Sequence, residues 1–188
     1  MRNDDRFGKR DHEEDYFRKQ DQELIEKMRK AAADDRARMA LGAQSGVQDP
    51  LLLGDIARLG FSADTVHLLP LVPILQVAWA EGGVSPAERT LVIEVARSRG
   101  VAEGSPADRQ LAEWLAHPPS PDVFARAGRL IAAMLAASSG TAHDLSADDL
   151  VRQCERVAAA SGGILGLGKV SAGERAAIEQ LQKTLKNR

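Results

Sequence analysis

The stretch Gly163-Ile-Leu-Gly-Leu-Gly-Lys169 has the glycine and lysine spacing with which a phosphate-binding loop cradles a nucleotide. That chemistry also needs a strand before the loop, a Ser or Thr after the lysine, and a helix opening there. A helical pattern precedes the loop and Val170 follows the lysine, so Ile164, Leu165 and Leu167 read instead as apolar side chains tucked into a core. Cys154 has no histidine within one or two helical turns and reads as a small buried hydrophobe, not a nucleophile. His67, His117 and His143 are scattered, with no Cys or His pair at zinc spacing. Asp148 and Asp149 fall in a helix first turn, where the macrodipole favours acids without any catalytic purpose. No set of nucleophile, base and oxyanion donor assembles from these residues, and the chain is expected not to be an enzyme.

The elements that carry these residues are helical. Asp49-Pro50 places a cap and then proline in the first helical position. Ser62 or Asp64 opens a helix running through Leu68 to about Ala80. Ser85-Pro-Ala-Glu88 opens one ending at Gly100, and Ser105-Pro-Ala-Asp108 opens one carrying Leu111, Trp114 and Leu115. Pro121 and Asp122 begin a long apolar helix through Ile131 and Leu135 to near Gly140. Ser146-Ala-Asp-Asp149 and Ser171-Ala-Gly-Glu174 open the last two. No segment alternates with period two, so the fold class is all-α.

With 188 residues, the chain suffices for one ordinary domain and an appendage. Its 4% aromatic content leaves an aliphatic core of Leu, Ile, Val and Ala. A net charge of −2 argues against a dedicated nucleic-acid binder, which needs a basic surface. The single cysteine permits no internal disulfide and suits a reducing compartment. The N-terminus has no apolar stretch, and the run from Leu68 to Ala80 is too short to cross a bilayer; a cytoplasmic location without membrane insertion is expected.

Charge divides the chain. Residues 1–40 hold eleven basic and eleven acidic side chains, 22 of 40, against 30 of the remaining 148. Such a segment cannot bury enough surface to fold alone. It still carries helix grammar: Asp11 and Glu14 form a capping pattern, and Phe17, Leu24, Met28 and Ala31 make a narrow apolar stripe. The sequence thus predicts a charged helical arm over 1–41, a hinge over 42–48 (Gly42-Ala-Gln-Ser-Gly46), and a globular body over 49–188. Three of the seven aromatics, Phe7, Tyr16 and Phe17, lie in the arm, where solvent gives them no use; they are candidate anchors for a partner groove.

An internal repeat organises the body. Val77-Ala-Trp-Ala-Glu-Gly-Gly83 matches Val157-Ala-Ala-Ala-Ser-Gly-Gly163 at an offset of 80, and Val84-Ser-Pro-Ala-Glu-Arg89 matches Val170-Ser-Ala-Gly-Glu-Arg175 at an offset of 86. Each unit reads as a helix, a Gly-Gly stop, a Val-Ser cap and a second helix, with Glu88 and Glu174 as capping-box residues. This duplicated pattern, over about residues 50–188, resembles the TerB-like (tellurite-resistance) helical domain family. The resemblance implies an all-α bundle and a place in stress-response assemblies. Through acidic residues at the turns it also implies a divalent metal, with Glu81 and Glu88 as its ligands. Glu81 stands where that family usually has Asp, and its repeat partner is Ser161, which has no carboxylate.

The string Phe7-Gly-Lys-Arg10, then Glu13-Glu-Asp-Tyr-Phe-Arg-Lys-Gln20 and Glu23-Leu24, resembles the inhibitory segment of the mitochondrial ATPase inhibitor family. That resemblance covers about residues 6–30. It implies a helix inserted into the catalytic head of the rotary F-type ATPase, blocking ATP hydrolysis. Phe7, Tyr16 and Phe17 would be apolar anchors, while Arg10, Glu13, Glu14 and Arg18 would make ionic contacts. Leu24 and Met28 continue the stripe toward the same partner. The spacer between Arg10 and Tyr16 is a residue or two shorter than in most members of that family. A solvated charged helix, or a docking arm for another protein, is the alternative that the charge run alone supports. The chain is therefore expected to be a non-catalytic regulatory or interaction protein, with a metal-responsive stress module as the competing expectation.

Overall fold

In a computed structural model, the backbone is described for residues 5–137, 146–160 and 170–186, and side chains for residues 16–136, 146–160 and 170–186. The described residues form eight α-helices and one 3-10 helix, with no strand, as the absence of period-two patterning requires. They are α1 (Asp5–Ser45), α2 (Pro50–Arg58), a 3-10 helix (Val66–Leu71), α3 (Val72–Ala78), α4 (Pro86–Ser98), α5 (Pro106–Ala116), α6 (Pro121–Ala137), α7 (Ala147–Ala160) and α8 (Ala172–Lys186). The chain divides into two compact units after Met39.

The body is assembled around α3. All of its residues but Gln76 are apolar, and Val72, Pro73, Ile74, Leu75, Val77 and Ala78 are all buried. A short helix apolar on nearly every side belongs at the centre of a bundle. Here α6, α7 and α8 pack around it, while α4 packs on α7 and α2 on α6. Ile56, Leu111, Ile131 and Leu150, at most 1% exposed, close the core from their own helices. The apolar run that begins at Leu68 therefore serves as the hub of a helical bundle. No helix among the described residues is long and apolar enough to cross a membrane.

Most helix starts lie where their caps place them. Asp49 accepts from the Leu51 N–H, Ser105 Oγ from the Asp108 N–H, and Ser146 Oγ from the Asp149 N–H. One expected helix differs. Instead of one helix from Ser62 or Asp64 to Ala80, the chain forms a 3-10 helix and then α3, which ends at Ala78. Two prolines explain the change. Pro70 lacks the N–H that an α-helix would use at that point, whereas Pro73 sits in the first turn of α3, where no donor is needed.

The stretch 42–48, expected as a hinge, is a helix end instead. α1 continues to Ser45, whose Oγ donates to the Leu41 carbonyl at 2.7 Å. Gly46 takes φ 71° and its N–H donates to the Gly42 carbonyl at 2.9 Å, a left-handed stop that glycine adopts without strain. Leu41 and Val47 are 2% and 3% exposed. Gly42 is small for reasons of space: a Cβ there would lie 3.1 Å from the Val47 carbonyl oxygen and 3.4 Å from Leu53 Cδ1. The last turn of α1 belongs to the body, which begins at Ala40.

Candidate functional site

Two places gather the residues singled out in the sequence: the exposed length of α1, and the turns where helices of the body begin. On α1, Tyr16, Phe17, Leu24 and Met28 are 60%, 63%, 56% and 64% exposed. Apolar side chains of that size are normally buried, so their coincidence on one helix is an exposed apolar surface of the chain. At about 100° per residue, Phe17, Leu24 and Met28 fall within about 40° of one another, a single stripe. Tyr16 meets Phe17 edge-on, with ring centroids 5.9 Å apart. Arg18 is exposed on the neighbouring line. Phe7, Arg10, Glu13 and Glu14 fall on the first turns of α1, but their side chains lie outside the described residues.

Two members of this surface were not singled out from the sequence. Ile25 is 47% exposed beside the stripe, and Met39, 67% exposed, continues it. The eleven-residue spacing of Phe17, Met28 and Met39 was the available signal, since three helical turns return nearly to the same face. Ion pairing along the described part of α1 includes Arg38 with Asp35 at 3.5 Å. That pair is exposed and adds little.

In the body, the two capping boxes have the same local geometry. Ser85 Oγ accepts from the Glu88 N–H at 3.3 Å, and the Ser85 N–H donates to Glu88 Oε2 at 2.7 Å. Ser171 and Glu174 repeat this at 3.1 and 2.6 Å. Both carboxylates are buried, Glu88 at 3% and Glu174 at 1% exposure. Burial pushes the Glu88 carboxyl above the ordinary carboxylate range; its bonds with Ser85 oppose that rise, and the charges of Glu174 and Glu81 add to it. The first turn of α8 also lies close to the end of α3, since a Cβ on Gly173 would stand 3.1 Å from the Ala80 carbonyl oxygen.

Glu81 itself is exposed on the turn after α3. A divalent cation needs several oxygen ligands, yet Glu88 already spends Oε2 on the Ser85 N–H. Among the described residues, no group of three or more His, Cys, Asp or Glu is placed to hold a metal ion. The pair Glu81 and Glu88 does not by itself fit such an ion. The glycine loop 163–169 and the Gly-Gly stop at Gly162 and Gly163 lie outside the described residues.

Other candidates take the structural roles their surroundings dictate. Cys154 is fully buried, and burial pushes its thiol up to about 12, which leaves it without thiolate at neutral pH. Asp149 caps its own helix with Ser146 and pairs with Arg152. Long-range polar contacts, invisible in the sequence, fasten α5: Trp79 Nε1 donates to the Trp114 carbonyl at 2.9 Å and Arg89 to the Leu115 carbonyl at 2.6 Å. Both close orphan carbonyls at a helix C-terminus. Comparison with protein-family models, curated proteins and solved structures finds no match to this chain.

Proposed function

We propose that this chain is a non-catalytic regulatory protein of the cytoplasm, whose N-terminal helix binds a protein partner and restrains ATP hydrolysis by the rotary F-type ATPase. The observation that carries this reading is the exposed stripe of Phe17, Leu24 and Met28, with Tyr16 beside it; among the described residues of the body, Leu51 is the one large apolar side chain as exposed as these. Large apolar residues are the usual energetic centre of an interface, and the helix-in-groove mode presents them at this spacing. The likeness of residues 6–30 to the ATPase inhibitor family supplies the identity of the partner. The body would act as a compact carrier of TerB-like architecture. A metal-responsive stress module is the weaker reading, supported by the two buried carboxylates at matched turns but not by a ligand set.

The test adds full-length protein to purified F-type ATPase and follows ATP hydrolysis. Inhibition by the wild type, lost in the triple substitution Phe17→Ala, Leu24→Ala and Met28→Ala, is the expected result. All three residues are exposed, so the body should melt unchanged in that variant. Equal hydrolysis with and without the wild-type protein removes the ATPase from the reading.

A further inference from the structure

The chain has four methionines, and two of them, Met28 and Met39, stand in the open on α1. At about 100° per residue they lie about 20° apart and continue the line of Phe17 and Leu24. Between Ile25 and Leu41 every other residue is charged or alanine. The two thioethers therefore carry all the large apolar surface of the second half of the stripe. Met134 differs: it is half-buried on α6 and packs against the core of the body. Met1 lies outside the described residues. Methionine suits an apolar interface because its chain adapts and its sulfur is soft, and that same sulfur is what a mild oxidant can change.

We propose that Met28 and Met39 are reversible oxidation sites for a hydroperoxide, and that sulfoxide at these two positions withdraws α1 from its protein partner. This rests on the reading above that the stripe binds a protein, and it adds a means of releasing that protein.

A lone pair of the thioether sulfur attacks one oxygen of the peroxide, and the O–O bond breaks. With hydrogen peroxide, the proton on the transferred oxygen passes to the departing one. One sulfoxide and one water form; sulfur loses two electrons and the peroxide gains them. The sulfoxide oxygen is a hydrogen-bond acceptor, and an apolar groove offers it no donor, so docking would strip its hydration without return. Phe17, Leu24 and Ile25 have no sulfur to react in this way. Cys154, fully buried and without thiolate at neutral pH, is guarded from the same oxidant.

The test uses the full chain as wild type, as Met28→Leu with Met39→Leu, and as Met28→Gln with Met39→Gln. Leucine and glutamine match methionine closely in helix propensity. The leucine pair thus keeps the stripe apolar without sulfur, and the glutamine pair makes it polar without oxidant. Each protein is treated with hydrogen peroxide, quenched with catalase, mapped by peptide mass and titrated against purified F-type ATPase by inhibition. Met28 and Met39 should gain oxygen at least about fivefold faster than Met134. Treated wild type and the untreated glutamine pair should each inhibit about tenfold more weakly than untreated wild type. The leucine pair should stay within about threefold of wild type before and after treatment. Reduction by the two methionine sulfoxide reductases, one for each epimer, should restore the treated wild type.

Oxygen gained as fast at Met134 as at Met28 and Met39 overturns the two sites. Undiminished inhibition by treated wild type, or an equal loss in the treated leucine pair, overturns the switch while the ATPase reading stands. If untreated wild type does not inhibit, the ATPase reading falls and the switch with it, whereas the mass map still decides the sites.

Discussion

Replacing Leu41 with alanine separates the rooted helix end described above from a flexible joint. Leu41 is 2% exposed, next to Gly42, which is pressed against Val47 and Leu53. Truncating a fully buried leucine costs about 2–5 kcal/mol, from lost transfer energy and the cavity left behind. The site lies at the edge of the body rather than its centre, which favours the lower half of that range, about 2–3.5 kcal/mol. For a body of this size, each kcal/mol lowers the melting midpoint by roughly 2–4 °C, so a fall of about 4–14 °C is expected. Leu24→Ala, on the same helix at 56% exposure, should stay within about 0.5 kcal/mol of wild type. Urea unfolding followed through Trp79 and Trp114, both in the body, measures both variants on one scale. If Leu41→Ala unfolds with the wild-type midpoint, the last turn of α1 does not belong to the core and the boundary after Met39 is misplaced.

Glu88 has a raised carboxyl pKa in the folded chain, so the folded state holds a proton there that the unfolded state has released. Stability should therefore fall as pH rises past the ordinary Glu value of about 4.3 toward neutrality. Glu88→Gln should flatten that fall in urea midpoints measured across the window. Ser85→Ala and Ser171→Ala each remove a hydroxyl acceptor from a capping box and should cost about 1 kcal/mol apiece by the same measurement. Trp79→Phe deletes the donor to the Trp114 carbonyl while keeping a large ring, and a loss of about 1 kcal/mol is expected in urea unfolding. Cys154 should be inert to an aromatic disulfide reagent in the folded protein and react at once in denaturant, as absorbance will show.

Sequence and structure agree wherever the deciding interactions are local. Asp49, Ser85, Ser105, Ser146 and Ser171 announced their helices because a cap is complete within four residues, all present in the string. Cys154 was legible as a buried hydrophobe, and the stripe of Phe17, Leu24 and Met28 was legible from spacing alone. The single helix expected from Ser62 or Asp64 to Ala80 is broken in the chain, because Pro70 has no N–H to donate in mid-helix and Pro73 suits only a first turn, which apolar periodicity does not register. Gly42 and Gly46 look like a hinge in any string. Only the approach of Val47 and Leu53 shows that one glycine is there for space and the other for a left-handed stop.

By itself, then, the sequence determined that this is a helical protein with a charged leading segment and an aliphatic body, because period, caps and composition act over a few residues at a time. Tertiary packing decided that α3 is the hub, that Leu41 and Val47 root the long helix, that Glu88 and Glu174 are buried, and that Trp79 and Arg89 close α5 across 35 and 26 residues. These depend on which surfaces meet, and burial is a property of the meeting, not of either surface beforehand.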